Sequence, residues 1–305
     1  MKSVLITGVA GFIGSKLANR FIMERFHVVG VDDLSVGKID NVPDGVDFIQ
    51  GDLSKSGTFK HIPKCNIVLH LAGQSSGELS FKNPQADLEK NTLSTLNLIN
   101  YSIANQVEKF VFASSMSVYG NQDLDSVHEG MNAKPLSCYG VSKLASEGYL
   151  RVFQHKLPFV IFRMFNVYGP GQDMANLSQG MVSIYLSQAI RNKRIIIKGS
   201  YERFRDFIYI DDVVDSWFDV STNHEVKNVT LNLGTGVKTT VRDLIEMIKS
   251  LLPDLEIKIE AGTDGDQFGL FSNNTLYSSL IGVNDFTPLN IGLREFIIWA
   301  KQELN

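Results

Sequence analysis

The chain has 305 residues, 44% of them hydrophobic and 20% charged, with a formal net charge of -4. This size and balance describe a folded protein with a sizeable core, and basic residues that are never gathered in runs leave no electrostatic footprint for nucleic acid. Two cysteines, Cys65 and Cys138, are too few and too far apart for a disulfide framework or a C-x-x-C metal pair, so a reducing, cytoplasmic setting is expected.

In chain order, an apolar run at residues 4–7 gives way to glycines and then to the helical spacing of Leu17, Ala18, Phe21 and Ile22. A second apolar run at 27–31 ends in Asp32-Asp33, which completes one βαβ unit. The start of the chain runs straight into its first strand, and no apolar run reaches membrane-spanning length, so neither a leader nor a membrane partner is expected. Short apolar strands follow at 47–50, 67–71, 109–113 and 159–162, separated by helical patterns of which 87–105 and 139–155 are the longest. Continuous apolar strands alternating with helices predict a doubly wound, parallel α/β sheet of the Rossmann type, covered on both faces.

After Tyr168-Gly169-Pro170-Gly171-Gln172 the rhythm changes to a helix at 180–191, a strand at 195–198 and a loop ending in Arg205-Asp206-Phe207. Residues 207–210 and a helix at 213–222 look like a return to the first domain. The expected division is a nucleotide-binding domain of residues 1–168 with about 206–234, and a smaller, interleaved lobe of residues 169–205 and 235–305.

Gly8, Gly11 and Gly14 stand as G-x-x-G-x-x-G between the first strand and the first helix. Glycines there permit a tight turn and close approach to a pyrophosphate, while the N–H groups of the helix start, at Phe12 and Ile13, face the anion. Asp32 follows the second strand where a carboxylate accepts hydrogen bonds from an adenosine ribose and repels a 2′-phosphate, which favours NAD over NADP. Asp33 competes with it for that role, and Lys38 is near enough in sequence to offset the repulsion. Asp52 and Leu53 after the third strand are expected near the adenine, with Leu71, Ala72 and Gly73 closing the fourth strand beneath the cofactor.

Tyr139 and Lys143 are four residues apart in a predicted helix, so both lie on one face. An ammonium beside the phenol is expected to favour the phenolate, which would make Tyr139 a general base. His70, His128 and His155 have no metal-ligand spacing, and no metal is expected.

These segments, with Gly51-Asp52-Leu53, His70 to Gly73, Ser114 to Gly120, Arg163 to Gly171, Arg205 to Asp212 and Asn232-Leu233-Gly234-Thr235-Gly236, run in order over nearly the whole chain. Together they resemble the extended short-chain dehydrogenase/reductase family in its nucleotide-sugar epimerase/dehydratase branch, and within it the UDP-glucose 4-epimerase-like members. The resemblance implies that Tyr139 is the acid/base, that Lys143 binds the nicotinamide ribose and lowers the tyrosine pKa, and that Ser115 polarises the reacting hydroxyl. It implies substrate contacts from Ser115, Asn166 and Arg205, with Arg203 and Asp266 as further candidates, and a homodimer built on helices 87–105 and 139–155. Two departures stand out. Thr263 precedes Asp264-Gly265-Asp266 where the family usually has arginine, and Arg203 occupies a position often filled by glutamine.

In the family's 4,6-dehydratases the two positions after the polarising residue are Asp and Glu. Here they are Met116 and Ser117, so the resemblance is to 4-epimerases acting on a nucleotide-diphosphate hexose of the UDP-glucose or UDP-N-acetylhexosamine type through a 4-keto intermediate. A net C4 dehydrogenase or reductase, a dehydratase, and a non-catalytic NAD-sensing protein are the alternatives. Sugar choice is expected to rest on loops near 74–79, Met116, 165–168 and 172–179.

Overall fold

A computed structural model describes residues 2–122, 124–177, 180–262, 268–282 and 285–304. In chain order the strands are β1 (Ser3–Thr7), β2 (His27–Asp32), β3 (Val46–Gln50), β4 (Ile67–His70), β5 (Lys109–Ser115), β6 (Ser126–Val127), β7 (Phe159–Met164), β8 (Asn166–Tyr168), β9 (Arg194–Lys198), β10 (Phe204–Arg205), β11 (Phe207–Tyr209), β12 (Val229–Leu233), β13 (Thr239–Thr240), β14 (Glu256–Glu260) and β15 (Phe271–Ser272). The helices are α1 (Phe12–Met23), α2 (Gly77–Lys82), α3 (Pro84–Leu88), α4 (Ser94–Ala104), α5 (Cys138–Val152), α6 (Met181–Asn192), α7 (Ile210–Thr222), α8 (Val241–Leu251), α9 (Thr275–Ile281) and α10 (Leu289–Glu303). The chain divides into two compact units. The first runs to Gly120 and takes in Asn132–Arg163 and Val214–Leu231; the second takes Asn121–Met131, Met164–Val213 and the chain from Asn232 onward.

The first unit is built on a seven-stranded sheet of order β12-β7-β5-β4-β1-β2-β3, the doubly wound α/β arrangement. Strand β1 pairs in parallel with both β2 and β4, with Thr7 opposite Val31 on one side and His70 on the other. The chain therefore leaves β1 in one direction and resumes at β4 in the other, and the carboxyl ends of these strands border the switch point where such sheets bind ligands. Leu5, Val29, Val68, Phe110, Phe112, Leu98 and Ile99 are among the buried residues of the core. Helix α1 turns Gly14, Leu17, Ala18 and Phe21 inward, the i, i+3, i+4, i+7 stripe of a helix lying on a sheet.

The stretch 87–105, expected as one helix, is three pieces: α3, a π-helical turn at Glu89–Leu93, and α4. The Ser94 and Thr95 hydroxyls donate to the Lys90 and Asn91 carbonyls, each at 2.5 Å, and such side-chain bonds compete with the regular backbone ladder. Helix α5 starts at an N-cap, Ser137, whose Oγ accepts from Gly140 N at 3.1 Å. It ends at Val152, short of the expected 155.

The second unit consists of short strand pairs and helices. Strands β8 and β11, β9 and β14, and β6 and β15 pair in parallel, whereas β10 and β13 are antiparallel. Helix α8 opens with a capping box between Thr240 and Asp243 and buries Val241, Leu244, Ile245 and Ile248. Among the described residues no helix is long and apolar enough to cross a membrane.

Candidate active site

The glycine loop follows directly from β1. Gly8 has φ +73°, and a Cβ on it would stand 2.8 Å from Ala72 N and 3.1 Å from Leu71 C. A Cβ on Gly14 would overlap the Gly8 carbonyl. Helix α1 begins at Gly11 with no side-chain cap, so no side chain there takes the N–H groups that Phe12, Ile13 and their neighbours present to an anion.

Asp32, at the end of β2, is buried, its Oδ2 accepting from Ala10 N at 3.0 Å and its Oδ1 from Leu34 N at 2.9 Å. Burial raises its pKa, partly offset by these two bonds. Asp33 points elsewhere: Lys90 Nζ donates to Asp33 at 2.5 Å and to Asp52 at 2.9 Å. Burial alone would raise both carboxyls, but Lys90 and local N–H donors bring them below the usual range. Of the two neighbouring acids Asp32 is thus the one built into the glycine loop, while Asp33 and Asp52 share a lysine. Leu53 is buried beside Asp52.

A further chain of hydrogen bonds fixes the end of β4. The Thr95 hydroxyl donates to the Asn91 carbonyl, so it must accept from His70 Nε2 at 2.9 Å. His70 Nδ1 is then the acceptor from the Thr7 hydroxyl at 2.7 Å, and Thr7 Oγ1 in turn accepts from Ala72 N at 3.2 Å. The imidazole is neutral, driven down to about 3 by burial and by the Lys143 charge. This relay holds Leu71, Ala72 and Gly73 in register with the glycine loop.

Tyr139, Lys143 and Glu147 follow one another at intervals of four along α5. Lys143 is buried, its Nζ 4.9 Å from the Phe112 ring centroid and 5.8 Å from that of Tyr139. Burial lowers the ammonium to about 8, with Asp87 pulling back upward. The Tyr139 phenol departs from expectation. Burial pushes it up to about 12, Asp87 adds to that, and a hydrogen bond with Ser115 is the opposing influence. Burial, the largest influence, thus favours the neutral phenol.

Ser115 caps the short turn Met116–Val118, accepting from Ser117 N and donating to Ser117 Oγ, both at 3.1 Å. Met116 is buried. Ser114 beside it donates to Glu147 Oε1 at 2.6 Å, and Glu147 is held bidentately by Arg163 at 3.0 and 2.8 Å and by Arg151 at 2.7 Å. Asp87 accepts from Ser142, Gln74 and Asn91. Glu147, Lys90 and Asp87 were not singled out from sequence. For the last two a signal was present: residues 87, 90, 91, 94 and 95, all polar, fall at the i, i+3, i+4, i+7 and i+8 spacing of one helical face.

In the second unit Asp206 is fully buried and accepts five hydrogen bonds, from Thr235 N and Oγ1, Gly236 N, and Ser272 N and Oγ, at 2.6 to 3.0 Å. Its carbonyl accepts from Asn166 N and Nδ2 at 3.0 and 3.1 Å. Arg205 is buried and its Nη1 donates to the Phe204 and Phe268 carbonyls. Arg203 folds back to donate to the Lys198 carbonyl at 2.8 Å. Asp266 and Thr263 lie outside the described residues. Among the described residues no cluster of His, Cys, Asp and Glu is fit to hold a metal ion.

The glycine cradle, the uncapped helix start and the buried Asp32 acceptor fit a dinucleotide. Residues 4–234 match the NAD dependent epimerase/dehydratase family. This chain belongs to that family. The UDP-glucose 4-epimerase of Mycolicibacterium smegmatis is 34% identical over 79% of this chain and 79% of its own. Mouse dTDP-D-glucose 4,6-dehydratase is 31% identical over 100% of this chain and 90% of its own. In three dimensions the chain is similar to the UDP-glucose 4-epimerase of Thermotoga maritima, solved with UDP-glucose, at a TM-score of 0.95 and 30% identity, covering 99% of this chain and 100% of that one. As a member of the epimerase/dehydratase family it uses NAD and works in nucleotide-sugar chemistry.

Proposed function

We propose that this protein is a 4-epimerase of a nucleotide-diphosphate hexose of the UDP-glucose or UDP-N-acetylhexosamine type. Relatives of both the epimerase and the dehydratase kind are similar to it, so the turn after β5 carries the choice. Removing water across C5 and C6 needs an acid and a base. Met116 has no proton to exchange, and the Ser117 hydroxyl is engaged with Ser115.

In this reading the glycine loop and Asp32 hold NAD, which when bound supplies a hydride acceptor and donor for C4. Tyr139 takes the C4 hydroxyl proton as hydride leaves C4, and gives it back when hydride returns to the opposite face of the 4-keto sugar. The phenol must first lose its own proton, and the Lys143 charge and the Ser115 hydroxyl are the groups that favour this. Ser115 also polarises the C4 oxygen. Asn166 and Arg205, with Arg203 as a further candidate, bind the sugar nucleotide; a guanidinium suits a diphosphate. Binding concentrated on the nucleotide and diphosphate leaves the hexose free to turn.

Proton NMR of the purified protein with uridine-, guanosine- and thymidine-diphosphate hexoses, N-acetylhexosamines and hexuronates, without added cofactor, tests this. A new anomeric signal growing to an equilibrium mixture is expected. Conversion only on adding NAD would overturn it in favour of net C4 oxidation, and a new C6 methyl signal in favour of dehydration.

A further inference from the structure

Asp87 belongs to none of the segments that mark the family resemblance, yet it is 1% exposed. It sits in the short helix α3, started by the Asn83 cap and Pro84. Ser142 Oγ donates to its Oδ2 at 2.7 Å, and Gln74 Nε2 and Asn91 Nδ2 donate to its Oδ1 at 2.9 and 3.0 Å. All three donors are neutral, so they fix the carboxylate without cancelling its charge.

The donors also surround one place. Ser142 precedes Lys143 in α5, and Gln74 follows Gly73, where a Cβ would stand 3.5 Å from Lys143 Nζ. Asn91 Oδ1 is buried there and has no hydrogen-bond partner. The ammonium otherwise faces the Phe112 ring of β5, the Tyr139 ring of its own helix and the neutral His70 of β4. Asp87 is the negative group acting on it. A buried ammonium between aromatic rings and a neutral imidazole is exposed to the full penalty of desolvation unless a fixed opposite charge offsets it.

We propose that Asp87 is a positioning residue whose fixed charge, held by Ser142, Gln74 and Asn91, keeps the Lys143 ammonium seated beside Tyr139. The proposal rests on the roles given above to Tyr139 and Lys143. Its consequence has a definite sign. Lys143 lies at about 8 with Asp87 present, so removing the carboxylate lowers it further and the lysine sheds its proton at a lower pH.

The test compares wild type, Asp87→Asn, Asp87→Glu and Ser142→Ala, each carrying NAD. The pH profile of turnover is measured, and Lys143 is titrated by NMR of lysine labelled at Cε, with Lys143→Met to assign the signal. In Asp87→Asn the alkaline limb and the Lys143 titration should both move to lower pH by about one unit, roughly a tenfold loss of activity on that limb. Activity near pH 6 should not fall, since Asp87 also raises the Tyr139 phenol and its removal eases that ionisation. Asp87→Glu should recover part of the shift, and Ser142→Ala, which loosens the carboxylate without removing it, should move the limb by less in the same direction. A uniform loss at every pH, with the Lys143 titration unmoved, would overturn the proposal and leave Asp87 a structural acid. Should wild type turn over no sugar nucleotide, the epimerase reading fails, while the lysine titration still decides for or against Asp87.

Discussion

Replacing Gly8 by alanine separates backbone strain from damage to the cofactor cradle. A non-glycine residue at φ +73° is strained by about 1–2 kcal/mol. The added methyl meets Ala72 N at 2.8 Å and Ala72 Cα at 3.1 Å, and forcing atoms into packed backbone adds about 1–3 kcal/mol. Gly45 supplies the control. Its φ is +90°, and its nearest neighbour to a Cβ would be Ile22 Cδ1 at 3.8 Å, so Gly45→Ala carries strain alone. Both variants should lose urea stability, Gly8→Ala the more. Only Gly8→Ala should lose NAD, because relieving its clash moves the loop and the β4 end that the His70 relay holds together. NAD content after purification, read by acid extraction and enzymatic assay, and calorimetric binding to stripped protein are the measurements. If Gly8→Ala keeps NAD as Gly45→Ala does, the cradle has been misplaced.

Two further outcomes follow from the site. Tyr139→Phe removes the group that exchanges the substrate proton and should slow turnover by roughly 10²–10⁴-fold while leaving NAD bound; NMR turnover together with NAD content checks both halves, and full activity would defeat the assignment. Glu147→Gln breaks a buried ion pair and should cost about 3–5 kcal/mol of stability. Burial would raise Glu147, but Arg163, Ser114 and Arg151 bring it below its ordinary 4.5. A carboxyl depressed in the folded state contributes stability that is present above the unfolded value and is lost as pH falls through the folded one. The gap between wild type and Glu147→Gln in urea midpoint should therefore be full near neutrality and narrow below about pH 4.5; a gap constant down to pH 3 would contradict the ion-pair account.

The features legible in sequence were those whose chemistry is local. The glycine spacing, Asp32 at the end of an apolar run, and the four-residue step from Tyr139 to Lys143 each depend on a few consecutive residues and on the strand or helix that carries them. What escaped depends on contacts across the fold. Glu147 gains its meaning from Ser114 and Arg163, and Lys90 from Asp33 and Asp52. Nothing local separates Asp32 from Asp33; the difference between them is the bond from Lys90, 57 residues away, to the second. Residues 121–131 carried no pattern of their own, and they join the second unit through the pairing of Ser126 and Val127 with Phe271 and Ser272. The rise that burial imposes on Tyr139 was not legible, because helical spacing gives the face a residue is on, but not how dry that face is.

The π turn at Glu89–Leu93 has a meaning for insertions and deletions. Such a turn holds one residue more than a regular helix needs. Deleting a single residue there would let α3, the turn and α4 merge into one continuous helix, with better backbone geometry than the natural chain. The wider turn takes up its extra residue locally, so the helix before and after it would keep nearly the same faces, and the loss would fall on the turn itself, where Lys90 meets Asp33 and Asp52 and Asn91 meets Asp87. Lineages of this chain should tolerate changes of loop length more readily than the loss of that one helical residue.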